Sequence, residues 1–245
     1  MCEFYSFLTD DKGNRYAMGH KERQMILKGD LNLRADSHSS VAEYWFGDSK
    51  KEDNYNKFEF NPLTRELKLD QQNLLVDDTE LININELIEE AKEAVPGLII
   101  KPIIHPFKDV KFDGEITEEI LDKLKEWDSV RDSVWDSVRA SVWDSVWDSV
   151  GASVRASVRD SVWDSVGASV WASVRDSVRD SVWASVWAYI SSFFNLESWR
   201  YTDSRSHINP FQSCIDLWEM GLVPNYDGTV WRLHSYKGVV WEGKI

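Results

Sequence analysis

The chain has 245 residues, 42 acidic against 28 basic side chains, a formal charge of −14 and a pI near 4.8. That balance excludes a generic basic nucleic-acid binder. Mean hydropathy is −0.43, no apolar run approaches the roughly 20 residues that a bilayer requires, and the N-terminus shows no charged, leucine-rich leader, so a cytoplasmic protein without membrane contact is expected.

Residues 1–115 read as an acidic, mixed α+β domain. Phe4-Tyr5-Ser6-Phe7-Leu8, the turn residues Asp11-Lys12-Gly13-Asn14 and Arg15-Tyr16-Ala17-Met18 predict one hairpin. Lys57 to Phe60 and Glu66 to Leu69 alternate in polarity around Asn61-Pro62-Leu63-Thr64 and predict a second. Asn85 to Val95 places Leu87, Ile88, Ala91, Ala94 and Val95 on one helical face and ends at Pro96-Gly97; Leu98-Ile99-Ile100 then reads as a strand. Residues 1–126 hold 27 acids and 17 bases, which gives −10 of the −14. Residues 116–126 form a helical connector, with Thr117 as cap, Glu118 and Glu119 in the first turn, and Ile120 and Leu124 on one face.

From Trp127 to Val186 the grammar changes to fifteen uninterrupted tetrapeptides. The third position is always Ser and the fourth always Val; the second is Asp nine times and Ala six; the first is Trp seven times, Arg six and Gly twice. Trp187-Ala188-Tyr189-Ile190 is a decayed sixteenth unit, so the array spans 127–190. An α-helix turns about 100° per residue, so a four-residue repeat precesses about 40° per unit and one long helix cannot keep a single buried face. Val and Ser are also weak helix formers. The period therefore favours an α+β protein whose array is a β-solenoid with four-sided coils of 16 residues, matching the spacing of Gly151 and Gly167. The alternative is a tract of packed α-helices.

Residues 191–245 read as a C-terminal cap. Asn209 caps a short helix that starts at Pro210, holds Cys214, Leu217 and Trp218, and stops at Gly221. A hairpin follows, from Thr229-Val230-Trp231-Arg232-Leu233 and Val239-Val240-Trp241 around Tyr236-Lys237-Gly238.

In the solenoid reading the first position of each unit projects outward. The row is then Trp127, Arg131, Trp135, Arg139, Trp143, Trp147, Arg155, Arg159, Trp163, Trp171, Arg175, Arg179 and Trp183. Such a row suits flat or anionic groups, but the nine Asp beside six Arg leave the tract at −3 and argue against nucleic acid. The leading expectation is a non-enzymatic repeat protein that binds a protein partner or self-associates through this surface. A thiol hydrolase or amidotransferase is the alternative: removal of Met1 would give Cys2 an α-amino base for its own thiol, with Asp36 and His38 as a polarised pair. Acidic mimicry of nucleic acid, inhibiting a host DNA-binding protein, ranks third. Two cysteines and five scattered histidines show no disulfide framework and no metal-ligand spacing, so no metal and no cofactor are expected.

Met1-Cys2-Glu3-Phe4, Asp36-Ser37-His38-Ser39-Ser40, Asn56-Lys57-Phe58-Glu59-Phe60-Asn61-Pro62-Leu63-Thr64 and Asp70-Gln71 resemble the N-terminal region of uncharacterised phage and bacterial proteins. Leu217-Trp218-Glu219-Met220-Gly221-Leu222-Val223-Pro224, Asp227-Gly228 and Trp231-Arg232-Leu233-His234 resemble a tail that recurs in such proteins, and Ser-Val tetrapeptide arrays also occur in other uncharacterised proteins. The resemblance implies a phage origin and no particular activity.

Overall fold

The computed structural model describes residues 5–75, 79–145, 148–163, 166, 179–202 and 208–245. They belong to two compact units, Met1–Pro102 with Val146–Ser153, and Ile103–Ser145 with Val154–Ile245.

In the first unit both expected hairpins form. Strand β1 (Tyr5–Thr9) pairs antiparallel with β2 (Arg15–Ala17), and β3 (Asn56–Asn61) pairs with β4 (Glu66–Gln71). β1 and β3 also pair antiparallel, giving a four-stranded sheet in the order β2-β1-β3-β4. Side chains alternate across a strand, so Tyr5, Phe7, Phe58 and Phe60 share one face, where the Phe7 and Phe58 rings stack with centroids 5.2 Å apart. Leu8 lies on the other face, in a core with Met18, Ala35, Val41 and Ala42. The last two belong to a helix not anticipated from sequence, α2 (His38–Phe46); α1 (His20–Leu27) precedes it.

The predicted helix at Asn85 is α3 (Ile84–Ala94), with Asn83 accepting from the Asn85 N–H as cap and Leu87, Ile88, Ala91 and Ala94 buried. Leu98 makes only an isolated bridge, so the strand expected at Leu98-Ile99-Ile100 does not form.

The second unit begins its helices where the sequence places them. Thr117 caps α4 (Glu118–Val130), its hydroxyl accepting from the Ile120 N–H, and Ile120, Leu124 and Trp127 are buried. The C-terminal helix α8 (Gln212–Glu219) starts two residues later than expected; Asn209 accepts from the Phe211 N–H just ahead of it. β5 (Val223–Tyr226), β6 (Trp231–Ser235) and β7 (Gly238–Gly243) make an antiparallel sheet in chain order, and only its second hairpin was foreseen. The core of this unit is aromatic. Tyr189 stacks on Trp218 at 4.9 Å, and the pair clamps one residue, since the Ile104 N–H donates to the Tyr189 hydroxyl (2.7 Å) and the Trp218 indole N–H donates to the Ile104 carbonyl (2.9 Å).

The array is helical among the described residues, which overturns the β-solenoid. It contributes the end of α4, a 3₁₀ turn at Arg131–Ser133, α5 (Val134–Ser145), α6 (Asp148–Val158), a π-helical turn at Arg159–Trp163 and α7 (Arg179–Ser191). The 16-residue coil suggested by Gly151 and Gly167 is not built: Gly151 lies within α6, and residue 167 is outside the described residues. The physical reason is segment length. A 40° precession defeats a 60-residue helix, but Val134, Val138 and Val142 in α5 fan across only about 80°, inside the apolar stripe of about 100° that a packed helix buries. The same holds for Val150, Val154 and Val158 in α6 and for Val182, Val186 and Ile190 in α7, and all nine side chains are buried. The π turn adds a correction, because its wider i→i+5 turn rotates each residue by less than an α turn and sets the stripe back.

Invariant serine is also accommodated without β ladders. The Ser129 and Ser133 hydroxyls donate to carbonyls three residues back, at 2.7 and 2.8 Å, while Ser185 donates to the Pro224 carbonyl at 3.1 Å. Weak helix propensity is overridden by burial of the valine face.

Candidate functional site

The acidic character of the first unit concentrates on α3. Its apolar residues point to the core, which leaves Glu86, Glu89, Glu90 and Glu93 at i, i+3, i+4 and i+7 as one acidic ridge. This ridge forms a wall of an open cleft of about 780 Å³, also lined by Tyr5, Asn14, Arg15, His20, Glu22 and Trp45. A shallower concavity of about 400 Å³ continues along Asn85, Glu86, Glu89, Glu90 and Glu93.

Arg15, Tyr5, Glu22 and Trp45 are held by their neighbours. The Arg15 guanidinium bridges Glu86, at 3.4 Å, and Glu90. Tyr5 donates its hydroxyl to Glu90 at 3.1 Å, and burial, followed by the Glu90 charge, pushes its pKa well above the usual phenol range, so it stays a neutral donor. Glu22 accepts from the Gly19 N–H and the Tyr44 hydroxyl. Trp45 is 49% exposed, yet its indole N–H is fixed on the Ala17 carbonyl at 3.0 Å and its ring meets Tyr16 edge-on. Four carboxylates therefore line the cleft, two of them paired with one guanidinium, beside an oriented indole. That is the composition of a cation-accepting site. The sequence carries the ridge in the Glu spacing of 85–95, but Arg15, Glu22 and Trp45 come from other elements, and no local pattern announces them.

The anticipated Trp/Arg row is not one outward surface. Trp127 is fully buried, edge-on to Phe211, which corrects its assignment to an exposed row. Arg131 lies over the Tyr226 and Trp231 rings, at 4.4 and 5.1 Å, and so ties the array to the C-terminal sheet. Trp135 is 41% exposed, with Arg139 over its ring and the buried Trp187 edge-on; half-buried Trp183 meets Trp187 in turn. Arg155 and Arg159 are exposed. The side chains of Trp143, Trp163 and Arg179, and all of Trp147, Trp171 and Arg175, lie outside what is described. The described part of the row is thus divided between packing and exposure according to where each helix faces.

Cys2 lies outside the described residues. Its expected partners do not form a relay: His38 is buried and its Nε2–H donates to the Phe58 carbonyl at 2.9 Å, while the Asp36 charge acts on Arg23. Cys214 is fully buried and burial pushes its thiol up, which makes it a packing residue without a reactive thiolate.

Although no metal was expected, His38, Glu59 and Asp70 bring one ligand atom each to within 4.8 Å of one another. Lys68 reaches both carboxylates, at 3.5 Å from Glu59 and 3.0 Å from Asp70; its hydrogen bond is the largest influence holding the Asp70 carboxyl below the usual range, against partial desolvation. No helix among the described residues is long and apolar enough to cross a membrane. Comparison with protein-family models, curated proteins and solved structures finds no match for this chain.

Proposed function

We propose that this is a non-enzymatic binding protein that receives a cationic segment of a macromolecular partner in the acidic cleft of its first unit. The observation that carries the reading is the cleft itself, whose lining combines Glu22, Glu86, Glu90 and Glu93 with a single guanidinium, Arg15, and the oriented Trp45 ring. A lysine or arginine side chain entering it meets carboxylates for its charge and an indole face for its stem. The array, in this reading, supplies helical scaffold, with Trp135 and Arg139 as a small secondary contact surface. The protein acts in the cytoplasm and carries a phage-encoded binding activity.

The test is isothermal titration of the full chain with a ten-residue lysine-arginine peptide and with its glutamate counterpart. Binding of the basic peptide alone is expected. It should weaken about tenfold in a Glu86→Gln/Glu93→Gln variant and fall as added salt shortens the Debye length. Equal affinity in the variant refutes the assignment of the cleft, and equal affinity for the acidic peptide refutes the charge argument.

A further inference from the structure

We propose that His38, Glu59 and Asp70 form a binding site for a divalent transition-metal ion of the Zn²⁺ or Mn²⁺ type, closed in the free protein by the Lys68 ammonium. The three donors come from three elements. His38 opens α2, Glu59 lies on the inner strand β3, and Asp70 lies on the edge strand β4. Glu59 is the register partner of Lys68 and lies on the sheet face that carries Leu8 and the α2 core; Asp70 is the residue skipped where the β3–β4 register shifts between Phe58 and Lys57, and the Lys68 ammonium reaches both carboxylates. Topology, more than sequence spacing, assembles the group.

Two features separate it from an ordinary surface ion pair. The first is the imidazole. A carbonyl can only accept, so in the 2.9 Å bond to Phe58 the His38 Nε2–H donates, and Nδ1 is the ring nitrogen that would take a cation. A backbone carbonyl that fixes the ring in this way is the usual support of a metal-binding histidine. The second is Glu59. Its side chain is only 6% exposed and its carboxylate is met by the Lys68 ammonium at 3.5 Å, longer than a good charged hydrogen bond. A carboxylate this deep demands close compensation.

Lys68 supplies that compensation poorly, because its own side chain is 58% exposed and it also serves Asp70. One ammonium is shared in direct contact between two carboxylates there, with Lys57 acting on Asp70 from farther away; a dication would balance both at contact. Donor atoms around zinc sit at about 2.0–2.2 Å from the ion, so they stand closer together than 4.8 Å, and closure needs a side-chain movement on the order of an ångström. Asp70, on the edge strand and partly exposed, has that freedom. One imidazole nitrogen with two carboxylates favours Zn²⁺ or Mn²⁺ over Mg²⁺, which prefers oxygen and water.

Calorimetry on the full chain, stripped with chelator and titrated with zinc chloride or magnesium chloride, decides the matter. A single Zn²⁺ site is expected, with Mg²⁺ at least about tenfold weaker. Asp70→Asn should weaken Zn²⁺ about tenfold or more, whereas Lys68→Gln should tighten it by removing the competing cation. Far-UV circular dichroism of both variants, which change partly exposed side chains, checks that the fold is kept. Absence of Zn²⁺ binding at millimolar concentration overturns the proposal, as does equal affinity in wild type and folded Asp70→Asn, or weaker binding in Lys68→Gln.

Discussion

His234 offers the sharpest test of how burial shapes this protein. It lies on β6 between Val223 of β5 and Val239 of β7, is 1% exposed, and has no hydrogen-bond partner for either ring nitrogen among the described residues. Desolvation, reinforced by the Arg232 charge, pulls its pKa down to about 4, whereas an unfolded histidine titrates near 6.5. Between those values the unfolded chain binds a proton that the native chain refuses. Stability is therefore complete above pH 6.5 and is lost as pH falls toward 4, by about 1.4 kcal/mol per unit over about 2.5 units, or roughly 3 kcal/mol. His234→Leu removes the proton site and the unsatisfied nitrogens together. Urea unfolding of both proteins at pH 7, 6, 5 and 4 isolates the effect, because other titrating groups cancel in the difference. The variant should equal or exceed wild type at pH 7 and lead by about 3 kcal/mol at pH 4. A difference that stays constant with pH would refute the reasoning.

Three further outcomes are expected. The Asp227 carboxyl is held down to about 2, first by the Val230 N–H and then by Arg232, so its contribution is present above pH 3.8 and lost as pH falls toward 2; Asp227→Asn should flatten that acid limb in urea unfolding and speed exchange of the Val230 amide. Trp127→Ala should cost about 3–5 kcal/mol in denaturant unfolding, whereas Trp135→Ala, at a half-open position, should cost well under half of that. One alanine inserted after Val138 turns Val142 by about 100° off the buried face and should lower the thermal midpoint sharply; deletion of the quartet Arg139-Ala140-Ser141-Val142 turns later residues by only about 40° and should be milder.

Short-range grammar was legible, and long-range assembly was not. The turn residues Asp11 to Asn14 and Asn61 to Thr64 and the cap Thr117 act within a few residues of themselves, through turn and cap hydrogen bonds, and their elements lie where the residues imply, whereas Asn83, the cap of α3, was not read from the sequence. α2 was missed because Ser37 to Ser40 reads as a loop, and its helical face is defined by Val41 and Ala42 packing beneath Leu8. β5 was missed because Pro224 and Asn225 are poor strand residues, tolerated at a sheet edge. The candidate site follows the same division. The acidic ridge is a periodic feature of α3, but Trp45 reaches the cleft through a fixed indole on Ala17, and His38 meets Glu59 and Asp70 only after the sheet has formed.

The array shows why a correct periodicity argument led to the wrong fold. Precession of 40° per quartet forbids one long buried stripe, but it says nothing against helices of three quartets. The repeat has no proline, and its helical course changes at two points among the described residues. Around Arg131, the guanidinium lies over Tyr226 and Trp231, and the chain tightens into a 3₁₀ turn between α4 and α5; from Arg159 to Trp163 it widens into a π turn. At the first of these, the register of the array is set by contacts with nonrepetitive aromatic residues of the C-terminal region. Units of identical sequence then acquire different roles from position: the first-place tryptophan of one unit, Trp127, packs in the core, while that of another, Trp135, stays half open beneath Arg139. The information that separates them resides in the flanks, so counting repeats could not have located the exposed surface.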